Sequence, residues 1–123
     1  MNILITAGGT TEKIDEVRSV TNTGTGRLGA LIAERFAASD DVSHIFYVCA
    51  ARSARPKGEK TEVRVADDTR ALERAVRELC ADRRIDAVIH GMAVSDYRVR
   101  TVSTSKDMAR FIADAAPGGI GVP

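Results

Sequence analysis

Residues 2–10 read NILITAGGT, and the reading of that stretch decides the fold. Asn2 to Thr6 is a short apolar, β-branched run, and Ala7-Gly8-Gly9-Thr10 closes it. That is the pattern of a buried strand ending in a glycine turn.

Working outward, Leu28, Leu31, Ile32 and Phe36 recur at helical spacing between Gly26 and Ala38, and Ser39-Asp40-Asp41 stops the run. Ser43 to Ala50 (SHIFYVCA) reads as a second strand, followed by a basic loop from Ala51 to Lys60 that carries Pro56 and Gly58. Thr61 to Val65 alternates polar and apolar residues and suits a short third strand. Asp68 or Thr69 caps the next helix, with Leu72, Ala75, Val76, Leu79 and Cys80 on the face turned to the sheet and Arg70, Glu73, Arg74, Arg77 and Glu78 turned to water. Ile85 to Val94 reads as a fourth strand with Ser95-Asp96-Tyr97 at its C-terminal end, and Ser105 or Asp107 caps a last helix through Met108, Phe111 and Ile112. Strands alternating with crossover helices predict a Rossmann-like α/β fold, a mainly parallel sheet with helices on both faces, in one nucleotide-binding domain over residues 1–123.

Composition narrows the partners. Eighteen Lys and Arg against 17 Asp and Glu leave a net charge of +1, and aromatic residues make up 4%, so neither a basic field nor a stacking platform marks a nucleic-acid binder. The N-terminal MNILITAGG lacks a basic lead and its apolar run is too short for a signal peptide or a membrane span, which predicts a cytoplasmic protein without a membrane partner. Cys49 and Cys80 each end an apolar run or face and read as small buried hydrophobes, while His44 and His90 lack a metal-ligand spacing, so no residue is assigned to a metal.

Open α/β sheets bind ligands beyond the carboxyl ends of their strands. Three segments converge there: Ala7 to Thr10 with Gly8 and Gly9, Asn22 to Gly26 with Thr23, Gly24 and Thr25, and His90 to Asp96. Amide groups at a helix start, with threonine hydroxyls beside them, suit a phosphate. Taken singly, each glycine is a turn former and Arg18 a solvated loop side chain. Gly24, Gly26 and Gly29 also spell G-x-G-x-x-G, the dinucleotide fingerprint, but that motif requires glycines directly after the first strand and an acidic residue closing the second. Here Val48-Cys49-Ala50 closes it. Between glycine turn and helix, residues 11–22 (TEKIDEVRSVTN) follow no clean period.

Together, ITAGGTTEKIDEVRSVTNTGTGRLG and HGMAVSDYR resemble phosphopantothenoylcysteine synthetase, or phosphopantothenate-cysteine ligase. The resemblance runs from Met1 to about Arg98. The family strings together T-x-G-[GP]-T, I-D-x-V-R-x-[IV]-[ST]-N and G-x-[LM]-G, which here are Thr6 to Thr10, Ile14 to Asn22 and Gly26 to Gly29. Met92-Ala93-Val94-Ser95-Asp96-Tyr97 is similar to the monofunctional bacterial branch, in which the ligase is not fused to its decarboxylase.

The resemblance implies a ligase that joins 4'-phosphopantothenate to L-cysteine in coenzyme A biosynthesis, with CTP rather than ATP as co-substrate, Mg²⁺, and a homodimer in the intact enzyme. It implies that Asn22 is the catalytic amide holding the acyl intermediate, that Arg18 serves the same step, and that both bind substrate. Gly8, Gly9, Thr10, Thr23, Gly24, Thr25 and Gly26 are then expected at the nucleotide's phosphates, and His90, Gly91, Met92 and Asp96 at its base and ribose. Family members carry a lysine-bearing loop, K-I-x-S or K-I-K-K, after the last helix, where this sequence reaches Pro123, and Lys106 is a poor substitute for it. The expectation is therefore an N-terminal fragment. The alternatives are an NAD(P)-dependent Rossmann oxidoreductase and a non-catalytic nucleotide-binding module.

Overall fold

Four parallel strands form the sheet, in the order β5-β4-β1-β6, where β1 is Asn2–Ala7, β4 His44–Cys49, β5 Thr61–Val65 and β6 Ala87–His90. The computed structural model describes residues 1–115. Strand β1 lies between β4 and β6, pairing Leu4 with Phe46 on one side and Thr6 with His90 on the other. Its side chains alternate, and both faces are covered. Ile3, Ile5 and Ala7 join Ile45, Tyr47 and Cys49 beneath helix α1 (Arg27–Ala37), with Ala30 and Ala33. Leu4, Phe46 and Val48 meet Leu72, Ala75 and Leu79 of helix α2 (Thr69–Asp82) on the opposite face. A leucine fully buried in such a layer contributes about 1.5–3 kcal/mol.

Helix α1 packs through a face shifted from its apolar stripe, of which Ile32 alone meets the core. Gly29, Ala30 and Ala33 are its buried residues, whereas Leu28 and Leu31 are 72% and 60% exposed. The helix crosses β1 so closely that a Cβ at Gly29 would overlap that of Ala7, and only small residues fit between them. Helix α2 follows the expected pattern at its start. Asp68 is the N-cap, its Oδ1 accepting from Ala71 N at 2.7 Å. Cys80 departs from the expectation of burial: it is exposed, because the packed ridge runs through Leu72, Ala75 and Leu79.

Three further differences concern short elements. Residues 11–21 fold into an antiparallel hairpin, β2 (Thr11–Lys13) against β3 (Ser19–Thr21), with Thr11 opposite Thr21. The fourth strand is shorter than Ile85 to Val94, ending at His90, after which only an isolated bridge joins Gly9 to Ala93. The last helix, α3 (Ser105–Ala115), is capped one residue upstream of the expected Ser105 or Asp107. Thr104 Oγ1 accepts from Asp107 N at 3.1 Å and donates to Asp107 Oδ2 at 2.8 Å, a reciprocal cap that uses Asp107 as the partner. Its Met108, Phe111 and Ile112 are exposed. The linker-like stretch from Pro117 to Pro123 lies outside the described residues. Among the described residues, no helix is long and apolar enough to cross a membrane.

Candidate functional site

At the carboxyl end of β1 the chain turns through Gly8, whose φ of +88° lies in the left-handed region that glycine adopts without steric cost. The turn carries Gly9 and Thr10 up to the segment beyond β6. Ala93 N donates to Gly8 O at 2.9 Å and Thr10 N donates to Ala93 O at 3.0 Å, so the two loops continue the parallel ladder past the last strand. Thr10, fully buried, extends the join through its side chain: its Oγ1 accepts from Ser95 N at 2.8 Å and lies 2.7 Å from Ser95 Oγ.

Asn22 is brought into this join by the hairpin. Because Thr11 pairs with Thr21, the next residue falls opposite Thr10, and Asn22 N donates to Thr10 O at 3.0 Å. The side-chain Nδ2 reaches Ala93 O at 3.2 Å and Ser95 Oγ at 3.4 Å. Ala93 O can only accept, which fixes the amide with its nitrogen toward the β6 segment. The hairpin itself is anchored at the entry to α2, since Thr11 N donates to Asp67 O, just before the N-cap, at 2.7 Å and Glu12 Oε1 accepts from Thr69 N at 3.0 Å. Asn22 thus joins all three segments that the sequence places at the sheet edge.

The start of α1 forms the opposite wall. Gly26, with φ of +77°, occupies the N-cap position and no side chain caps the helix there, while Thr25 Oγ1 accepts from Arg27 N at 3.3 Å. Gly24 lies over the Gly8 carbonyl, and Thr23 and Thr25 are exposed. A fourth segment, the turn after β4, braces this wall. Ser53 sits against Gly8 and Gly26, Ala54 N donates to Thr25 O at 2.9 Å, and the buried Tyr47 hydroxyl lies 2.9 Å from Ala54 O and 3.3 Å from Gly26 O. Burial pushes that phenol up to about 12. No motif in the sequence marks Ser53 or Tyr47, since each acts only through a contact with a distant glycine turn. Ser95 had a signal, the MAVSDY block, but its partner Thr10 is visible only in three dimensions.

His90, the last residue of β6, and Asp96 beyond it are exposed, and Gly91 N donates to Thr6 O at 2.9 Å. Met92 turns its side chain into the α2-side core, leaving its main chain toward the crest. Arg18 is held elsewhere. It lies on the hairpin turn, where its Nε and Nη2 donate to Asp15 Oδ2 at 2.8 and 2.6 Å, and Asp15 Oδ1 accepts from Val17 N and Arg18 N. The Arg18 guanidinium and these amides hold the Asp15 carboxyl below the usual carboxylate range. Three residues of extended chain lie between Arg18 and Asn22, and the four rises span about 13 Å. Residues 8–26 intervene between β1 and α1, so the glycines of the G-x-G-x-x-G spelling do not follow the first strand.

Residues 1–116 match the family of the DNA/pantothenate metabolism flavoprotein C-terminal domain. The chain is 31% identical over 104 residues to the coenzyme A biosynthesis bifunctional protein CoaBC of Thermococcus kodakarensis, a match that covers 85% of this chain and 25% of that protein. Among solved structures, the DNA/pantothenate metabolism flavoprotein from Streptococcus pneumoniae is similar with a TM-score of 0.75 and 33% identity, over 89% of this chain and 48% of that one. The C-terminal domain of a coenzyme A biosynthesis bifunctional protein CoaBC gives a TM-score of 0.69 and 34% identity, over 82% of this chain and 49% of that one. The chain therefore spans about half the length of these solved relatives and a quarter of the curated one.

Proposed function

The chain belongs to the DNA/pantothenate metabolism flavoprotein C-terminal domain family, and from that membership we propose that it is the nucleotide-binding part of a phosphopantothenate-cysteine ligase. The carboxylate of 4'-phosphopantothenate attacks the α-phosphorus of CTP, forming the acyl-cytidylate and expelling pyrophosphate. The amine of L-cysteine then attacks the acyl carbon, the acyl-phosphate bond breaks, CMP leaves, and the amine gives up its proton. ATP is the less favoured nucleotide, and the intact enzyme is a homodimer.

The observation that carries this reading is the position of Asn22. One Nδ2 hydrogen is committed to Ala93 O at 3.2 Å, while the second is held only loosely by Ser95 Oγ at 3.4 Å. It can turn to the oxygen that gains charge when the amine attacks, and a preorganised neutral donor of that kind lowers a barrier by about 3–4 kcal/mol. The uncapped start of α1 and the Gly8-Gly9-Thr10 turn offer amide groups to the triphosphate. Residues His90 to Asp96 receive base and ribose, with Met92 contributing main chain because its side chain is in the core. Mg²⁺ keeps several waters and needs only one or two protein carboxylates beside phosphate oxygens. Arg18 acts on the same step once it exchanges Asp15 for substrate.

Asn22→Ala in the intact protein that carries this chain tests the role. The acyl-cytidylate is expected to accumulate while product formation drops roughly a hundredfold or more, the effect of losing one oxyanion donor. Product formation at the original rate would remove Asn22 from the mechanism.

A further inference from the structure

The turn that follows β6 hangs on one buried residue. Thr6 is 1% exposed and meets the last residue of β6 and the two residues that follow it. Its Oγ1 lies 2.6 Å from His90 Nδ1 and accepts from Met92 N at 3.3 Å, and its carbonyl accepts from Gly91 N at 2.9 Å. Thr6 and His90 are register partners, so their side chains leave the same face of the sheet. They enter a groove of about 460 Å³ with Leu4, Leu72, Val76 and Val88, where the charged neighbours Glu73 and Arg77 pair with each other at 3.0 Å.

The hydrogens decide the state of the ring. The Met92 amide can only donate, so it occupies one lone pair of Oγ1. The threonine hydroxyl has a single hydrogen to give, and among the described residues its available acceptor is His90 Nδ1. Were Nδ1 protonated, that hydroxyl hydrogen would be buried without an acceptor, a cost comparable to a lost hydrogen bond.

We propose that Thr6 is a positioning residue for the nucleotide segment: it sets the His90–Met92 turn and holds the His90 ring with Nδ1 bare and Nε2 protonated. The outer ring nitrogen then offers a donor to an oxygen of the bound nucleotide. This rests on the reading that residues 90–96 receive CTP.

The chain has two histidines, His44 and His90, so a ring-nitrogen NMR spectrum is assigned with the single variant His44→Gln. In the neutral ring, a bare Nδ1 and a protonated Nε2 are expected for His90. Thr6→Val is expected to mix the tautomers and weaken CTP binding roughly fivefold, the size of one neutral hydrogen bond. Thr6→Ser restores both, and it serves with the unsubstituted chain if Thr6→Val does not fold. A protonated Nδ1 with CTP binding intact overturns the assignment to Thr6 alone. A bare Nδ1 in a chain that does not bind CTP overturns the positioning claim together with the nucleotide reading of residues 90–96.

Discussion

Gly29 shows how much one missing Cβ settles. It lies where α1 crosses β1 at Ala7, with no room for a side-chain atom. Gly29→Ala gains up to about 1 kcal/mol of helix propensity but overpacks the crossing by about 1–3 kcal/mol, so the net expectation is a lower urea midpoint. An unchanged midpoint would mean that the helix shifts freely over the strand. In the sequence this glycine is the last letter of a dinucleotide spelling, and nothing there separates a glycine that meets phosphate from one in a helix that meets a strand. Gly8 was easier to read, because it closes an apolar run where a turn must follow. Asn22 was legible as a letter in a motif, whereas its bonds to Ala93 and Ser95 join residues more than seventy positions away.

At the scale of elements, Tyr47 ties strand β4 to the start of α1 and to the turn after β4. Burial raises its phenol from 10.0 to about 12, so as pH climbs the unfolded chain ionises first. The stability this residue contributes is whole below pH 10 and is lost between 10 and about 12. The difference in denaturant midpoint between wild type and Tyr47→Phe isolates that contribution from other groups titrating there. The variant is expected to be weaker by about 1 kcal/mol at neutral pH, having lost the donor to Ala54 O, and the gap should narrow above pH 10. A constant gap would contradict the assignment. Strands β1, β4 and β5 and helix α2 were legible because an apolar run or a 3.6 period extends over enough residues to stand out. The hairpin was not, since β2 and β3 have three residues each and β3 is exposed throughout. Its order comes from Glu12 reaching the first residue of α2 and Thr11 reaching Asp67 just before it, contacts that leave no periodic trace.

Across the whole molecule, the parallel sheet brings the glycine turn, Asn22 and the β6 segment to one edge, as the strand and helix order alone implied. Apolar residues nonetheless remain at the surface, among them Leu28, Leu31, Val88 and Phe111. The helix periods identified amphipathic faces, but in α1 and α3 not which part of each face is covered. The chain spans about half the length of its solved relatives. We propose that the site activates a carboxylate with CTP. Pyrophosphate release by the intact protein carrying this chain, followed with CTP or ATP in the presence and absence of 4'-phosphopantothenate, tests it most directly. Release is expected to require the acid and to be faster with CTP, whereas release at the same rate without 4'-phosphopantothenate, or none with it, would contradict the ligase.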